Sequence, residues 1–150
     1  MEHYSNEIPE RFVNNGGKRQ LNYNVRELTD EEIEDLWENE VTEGEINDGF
    51  IDSHRYAYNS VEIGIAQWTR DGIINAIIRD KYPVDVMEAI TNNMAAVNAA
   101  FMQTLVTDGI IAATKYLKDS VDQERSNQFK EMQDWRQMAK QVASEIIKPN

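Results

Sequence analysis

From Tyr58 to Ile147 the apolar residues recur at three- and four-residue intervals with few interruptions. Tyr58, Val61, Ile65 and Trp68 begin the pattern, and Ile73, Ile74, Ile77 and Ile78 resume it after Gly72. Met87, Ile90, Met94, Val97, Phe101 and Leu105 continue it, followed by Ile110, Ala113 and Leu117. Phe129, Met132, Arg136, Ala139, Ala143 and Ile146 carry a last stripe that Trp135, Met138 and Val142 widen. Such spacing places side chains on one face of an α-helix. The breaks have local causes. Gly72 reads as a weak point and Asp108-Gly109 as a second one. Pro83 disfavours helix at Tyr82 and is suited to open the next helix. The last helix is expected over residues 121–147, stopped by Lys148-Pro149-Asn150.

Upstream, residues 29–45 read TDEEIEDLWENEVTEGE, with nine acids and no base. Thr29-Asp30-Glu31-Glu32 fits a capping box, in which the Thr29 hydroxyl and the Glu32 carboxylate each accept from the other's backbone amide. Acids in a first turn also complement the positive end of the helix dipole. Ile33, Leu36, Trp37 and Val41 make an apolar stripe, while Glu31, Glu34, Asp35 and Glu38 cover the other side. Gly44 and Asn47-Asp48-Gly49 end the element. Most of this acidity is therefore the wet face of a capped amphipathic helix.

Residues 1–28 lack helical periodicity. They contain Pro9, the turn signal Asn14-Asn15-Gly16-Gly17, and an alternating run, LNYNVR, with Leu21, Tyr23 and Val25 on one side. That is strand spacing, but the chain shows no clear second strand to pair with it. An unpaired strand must satisfy its backbone elsewhere, so residues 1–28 are expected to be an extended arm that reaches a neighbour. The expected fold is all-α: a bundle of about five helices over residues 29–150, with a non-helical N-terminal arm. Leu21, Tyr23 and Val25 in the arm, and Glu31, Glu34, Asp35 and Glu38 on the acidic helix, are the expected interface residues.

Composition narrows the chemistry. The net charge is −12, and from Glu27 to Asp52 there are 12 acids and no base. That half repels phosphate backbones, which argues against specific nucleic-acid contact. Cysteine is absent, excluding thiolate ligands and Cys nucleophiles. Two histidines, His3 and His54, leave little for a metal site, and neither a Glu-x-x-His pair nor an EF-hand loop fits around them. No nucleophile elbow or phosphate-binding glycine loop is present. The expectation is a protein without catalytic residues, cofactor or metal. No apolar run approaches the ~20 residues that span a bilayer. The tryptophans Trp37, Trp68 and Trp135 each fall on an apolar stripe and read as core.

Two stretches carry a resemblance. AIIRDKYPVDVMEAITNNM (residues 76–94) and FKEMQDWRQMAKQVASE (residues 129–145) resemble segments of small proteins encoded by tailed phages, including crAss-like phages. The resemblance implies a virion structural component, of the kind that forms neck or head-to-tail connector rings at the portal. It implies a homo-oligomer that contacts other virion proteins, such as a portal or a neighbouring ring, in the virion and, during assembly, in the host cytoplasm. It transfers no functional residue. The alternative reading is a small acidic regulator that binds a basic host or phage protein by imitating nucleic acid.

Overall fold

A computed structural model describes residues 2–41, 44–117 and 120–148. Thr42 and Glu43 of the acidic run, the side chain of Leu117 and the final Pro149-Asn150 lie outside the described residues. The chain divides into two compact units, residues 1–76 and 77–150.

The first unit is built on four antiparallel strands: β1 (Glu2–Ser5), β2 (Phe12–Asn15), β3 (Lys18–Glu27) and β4 (Tyr56–Gly64), in the order β1-β4-β3-β2. The fold is therefore mixed α/β and not all-α. Residues 1–28 are not a free arm, because β3 finds its missing partner in β4, pairing from Lys18↔Gly64 to Glu27↔Tyr56. Residues 56–64 were expected to be helical from Tyr58, Val61 and Ile65. Instead they alternate: Ala57 and Ile63 are buried on one face, and Tyr58 stacks on His3 on the other. A nine-residue run rich in aromatic and β-branched residues satisfies both periods by chance, and a waiting strand edge decides between them.

The Asn14-Asn15-Gly16-Gly17 signal closes a β2–β3 hairpin in which Asn15 pairs with Lys18. Gly16 has φ +65, as the first position of such a two-residue turn requires. Farther along β3, Asn24 and Val25 together stand opposite Tyr58 alone, because the register moves from Tyr23↔Asn59 to Arg26↔Ala57. This β-bulge puts Asn24 at φ 55 and resets the alternation. Leu21 and Tyr23 remain buried, Val25 turns outward, and Leu28 is the next buried residue. Leu28, Ile33 and Ala57 form a small core against Tyr4, Leu36, Ile46, Phe50 and Ile51. The last of these residues come from the short segment after helix α1 (Asp30–Glu40) and from helix α2 (Asp48–Ser53).

Asn22 shows how the N-terminal residues are held. Strands β1 and β2 occupy opposite edges of the sheet, so residues 6–11 must carry the chain from one edge to the other. Asn22 is buried, its Nδ2 donates to the Glu10 carbonyl at 2.8 Å, and Gln20 donates to its Oδ1 at 3.0 Å. A buried amide with both ends bonded costs little, whereas an unpaired one is expensive.

The helix α3 (Arg70–Lys81) follows a short 3₁₀ turn, Ile65–Gln67. Gly72 does not break it. Gly72 lies in its first turn, where the Thr69 hydroxyl accepts the Gly72 amide at 3.1 Å. A Cβ at Gly72 would run into the Gln67 carbonyl oxygen.

The second unit contains helices α4 (Val84–Asp108), α5 (Ile110–Leu117) and α6 (Ser120–Ile146). Pro83 separates α3 from α4, and Gly109, at φ +88, separates α4 from α5. Tyr82, Ile90 and Met132 form its core cluster with Met87, Phe129 and Trp135 packed against them. The Trp135 indole donates to the Ile77 carbonyl at 2.9 Å, occupying an acceptor in the last turns of α3. Burying an aliphatic side chain such as Met132 contributes about 1.5–3 kcal/mol.

Candidate interaction surfaces

The acidic helix is held by its own first turn. Thr29 Oγ1 accepts from the Glu32 amide at 3.3 Å, and Glu32 Oε2 accepts from the Thr29 amide at 2.9 Å. The other Glu32 oxygen meets Arg26 Nη1 at 2.7 Å, while Arg26 Nη2 reaches Glu2 at 3.3 Å. Arg26 thus links β1, β3 and α1. The Thr29 amide and then Arg26 hold the Glu32 carboxyl below the usual carboxylate range. With Glu32 occupied in this way, Glu31, Glu34, Asp35 and Glu38 project into solvent from the same helix. Among the described residues these four make no hydrogen bond or ion pair.

The other predicted site residues divide. Leu21 and Tyr23 are 0% and 1% exposed, so they are core of this chain and offer nothing to a neighbour. Val25 is 39% exposed, because the bulge turns it out. The sheet and the helices therefore bring the four carboxylates together, while Leu21 and Tyr23 serve the fold.

A second surface was not anticipated from sequence. Strand β2 is exposed along its whole length and, among the described residues, pairs with a strand on one side only. Phe12 packs edge-on to Trp68 at 5.5 Å. The Arg19 guanidinium lies 4.6 Å from the Trp68 ring centre and 5.2 Å from that of Phe12, and its Nε donates to Asn14 at 2.9 Å. Cation–π contact and a hydrogen bond thereby fix one positive charge between two aromatic rings. The signal was present in the sequence as Arg-Phe-Val before a two-glycine turn and Lys-Arg after it.

These surfaces carry opposite charge and lie at opposite ends of one sheet. Lys18 and Arg19 stand at the hairpin end, where Glu62 lies 3.7 Å from Lys18, and residues 27–52 at the other end hold 12 acids and no base. Strand β4 runs from Tyr56, opposite Glu27 beside α1, to Gly64, opposite Lys18 at the hairpin turn. Its nine residues span roughly 26 Å. That is about three Debye lengths at physiological salt, so the two ends do not neutralise each other within one chain.

In the second unit, Met102, Val106, Ile110 and Ile111 are exposed around the α4–α5 junction, Val106 and Ile111 by 82% and 85%. Exposed apolar residues this close in the chain make the junction a candidate contact surface.

One arrangement resembles a catalytic group. Ser53 Oγ lies 2.8 Å from His54 Nδ1, and Glu40 lies 3.8 Å from His54 Nε2. The same serine hydroxyl also reaches the Phe50 carbonyl at 2.9 Å, and His54 Nδ1 faces that carbonyl at 2.9 Å. A carbonyl can only accept, so Nδ1 must carry a proton to bond there and then cannot take one from Ser53. The imidazole stacks on Phe50 at 3.9 Å and packs near Tyr4 at 5.0 Å. The group ends α2 and seals its small core.

Among the described residues no cluster of three or more His, Asp or Glu is placed to hold a metal, and no helix is long and apolar enough to cross a membrane. No family model, curated protein or solved structure matches this chain.

Proposed function

We propose that this protein is a non-enzymatic structural subunit of a tailed-phage virion, a neck or head-to-tail connector ring protein that joins copies of itself head to tail. The virion part of the reading rests on the resemblance of residues 76–94 and 129–145 to small tailed-phage proteins. The observation that carries the assembly part is the separation of charge along the sheet of the first unit. A two-fold contact would satisfy both ends at once and close at two copies, whereas a heterologous contact leaves one end of each copy open to the next. A heterologous contact brings the Lys18 and Arg19 end of one copy to the Glu31, Glu34, Asp35 and Glu38 face of the next. Repetition of such a contact closes a ring when the rotation allows. The exposed residues at the α4–α5 junction provide a further apolar surface for another virion protein.

Charge reversal at each end tests the contact. Lys18→Glu with Arg19→Glu, and separately Glu34→Lys with Glu38→Lys, should each prevent assembly. Mixed together, the two variants should assemble again in alternation, because the two unaltered ends are complementary and the two reversed ends are too. All four changes in one chain should restore assembly. Full assembly of either variant alone, or failure of both the mixture and the fourfold variant to assemble, contradicts head-to-tail docking. A wild-type monomer that binds a basic partner through α1 favours the acidic-regulator reading instead.

A further inference from the structure

Strands β1 and β2 are the two edges of the first unit's sheet, and contacts at their margins fix which residues turn outward. The Asn22 amide donates to the Arg11 carbonyl at 2.8 Å. Antiparallel pairs alternate between bonded and non-bonded, so Val13↔Gln20 and Asn15↔Lys18 carry the β2–β3 ladder. Phe12 and Asn14 therefore aim their N–H and C=O groups away from β3. Along β4, Leu28 donates to the Arg55 carbonyl at 2.9 Å and Ile65 to the Gly17 carbonyl at 3.2 Å. Counted inward from those contacts, Ala57 and Asn59 point to β3, which leaves Tyr56 and Tyr58 to bond Ser5 and His3 of β1. Glu2 and Tyr4 therefore turn outward. Among the described residues nothing bonds the outward backbone groups of Phe12, Asn14, Glu2 or Tyr4.

The two edges match. Each offers two outward residues with one inward residue between them. The strands alternate in direction, β1 and β3 one way, β4 and β2 the other. A second copy set alongside in the same orientation thus brings its β1 antiparallel to β2. In one register Phe12 pairs with Tyr4 of the next copy and Asn14 with its Glu2, while Val13 stands beside its His3. The side chains agree with that register. Phe12 and Asn14 share a face with Leu21 and Arg19, and the strand pairings place Glu2 and Tyr4 on that same face through Asn59 and Ala57. Phe12, 43% exposed at its edge, meets the Tyr4 ring and continues the apolar face across the junction. Arg19, whose Nε holds Asn14 at 2.9 Å, comes beside Glu2.

Like edges fit less well. Pairing β2 with β2 of a second copy gathers two Arg19 guanidiniums at one junction, and pairing β1 with β1 gathers two Glu2 carboxylates; like charges across paired strands destabilise them. The unlike pairing also produces a stagger. Phe12 lies level with Val61 and Tyr4 level with Ala57, so successive copies are offset by four residues, roughly 13 Å. The offset carries the Lys18 and Arg19 end of one copy toward the acidic end of the next, where Arg26 ties Glu2 to Glu32 of α1.

From this geometry we infer that copies join by strand addition, the β2 edge of one pairing antiparallel with the β1 edge of the next in the register Phe12–Tyr4 and Asn14–Glu2. The inference rests on the head-to-tail reading and supplies the backbone contact that the charged ends steer together.

Disulfide trapping tests it, free of background because the chain has no cysteine. Val13 and His3 form the non-hydrogen-bonded pair of the junction, with Cα atoms about 4.5 Å apart, within disulfide range. Full-length Val13→Cys and His3→Cys, mixed and oxidised, should give a disulfide-linked dimer on a non-reducing gel. Each variant alone should remain unlinked, and so should His3→Cys mixed with Val25→Cys, a residue as accessible as Val13. Asn14→Pro added to Val13→Cys removes an outward N–H without touching the β2–β3 ladder. It should slow cross-linking about fivefold, the weight of one hydrogen bond. No cross-link in the mixture, while light scattering finds the wild type assembled, would overturn the inference and leave the head-to-tail reading with a different contact. Cross-linking of Val13→Cys alone as fast as in the mixture would overturn it by pairing β2 with itself, and an unslowed rate with Asn14→Pro would overturn it by removing the backbone bond. A wild type that stays monomeric at every concentration would remove the head-to-tail reading and this inference with it.

Discussion

Arg26 and Glu32 meet at 2.7 Å where β3 hands over to α1, joining the last basic residue of the hairpin to the first turn of the acidic helix. The contact explains why one carboxylate of the acidic run is structural while its neighbours stay free. Glu32 accepts from the Thr29 amide and from Arg26 most strongly while ionised. Its folded-state pKa is depressed, so its contribution is fully present above the ordinary carboxylate value of 4.5 and is lost as pH falls below that through the folded value. Glu32→Gln should therefore lower the stability of the first unit at neutral pH and reduce its acid sensitivity in that window. Chemical denaturation of both proteins between pH 7 and pH 3 checks this. Parallel curves for variant and wild type would show that the contact contributes nothing.

Thr29→Ala removes the other half of the capping box. A loss of about 1 kcal/mol is expected, with fraying of α1 seen as faster amide exchange at residues 31–33. Thr29→Ser should retain most of the stability, because the hydroxyl is what the cap uses.

Asn22→Leu has the size for the site but not the hydrogen bonds. The Glu10 carbonyl would lose its donor and Gln20 its acceptor beneath the segment that crosses between the sheet edges. Destabilisation of about 1–3 kcal/mol is expected in urea unfolding, together with faster proteolysis within residues 6–11.

Gly72→Ala should destabilise the first turn of α3 by roughly 1–3 kcal/mol, although alanine is the better helix former. The Cβ has no room beside the Gln67 carbonyl, and backbone must move to admit it. A neutral or stabilising result in thermal unfolding would mean that the 3₁₀ turn before α3 gives way freely.

Removing residues 1–27 deletes three of the four strands and leaves β4 without a partner. The expected outcome is loss of the first unit's structure. Near-complete retention of its amide-exchange protection would contradict the sheet.

What was legible in the sequence was local. The capping box at Thr29, the break at Pro83 and the stop at Gly109 each depend on a few neighbouring residues, and each appears where the pattern places it. The strands depend on partners far along the chain. LNYNVR was recognisable as a strand, but its partner, residues 56–64, also satisfies helical spacing, and only the pairing decides. The bulge at Asn24 breaks the alternation that made Val25 look equivalent to Leu21 and Tyr23. Of the expected surface, the four carboxylates of α1 were readable because a short helix with one buried stripe must expose its other side. The Phe12–Arg19–Trp68 stack was not, since Trp68 is brought to the hairpin by the full length of β4.

The central claim is that opposite ends of the sheet dock between copies, and the mass of the protein in solution tests it most directly. Multi-angle light scattering on the wild-type chain, across concentration at low and at high salt, gives that mass. The account predicts a discrete oligomer of more than two copies at low salt whose mass falls as salt rises. A monomer at every concentration and salt would contradict it, and so would a dimer whose mass is indifferent to salt.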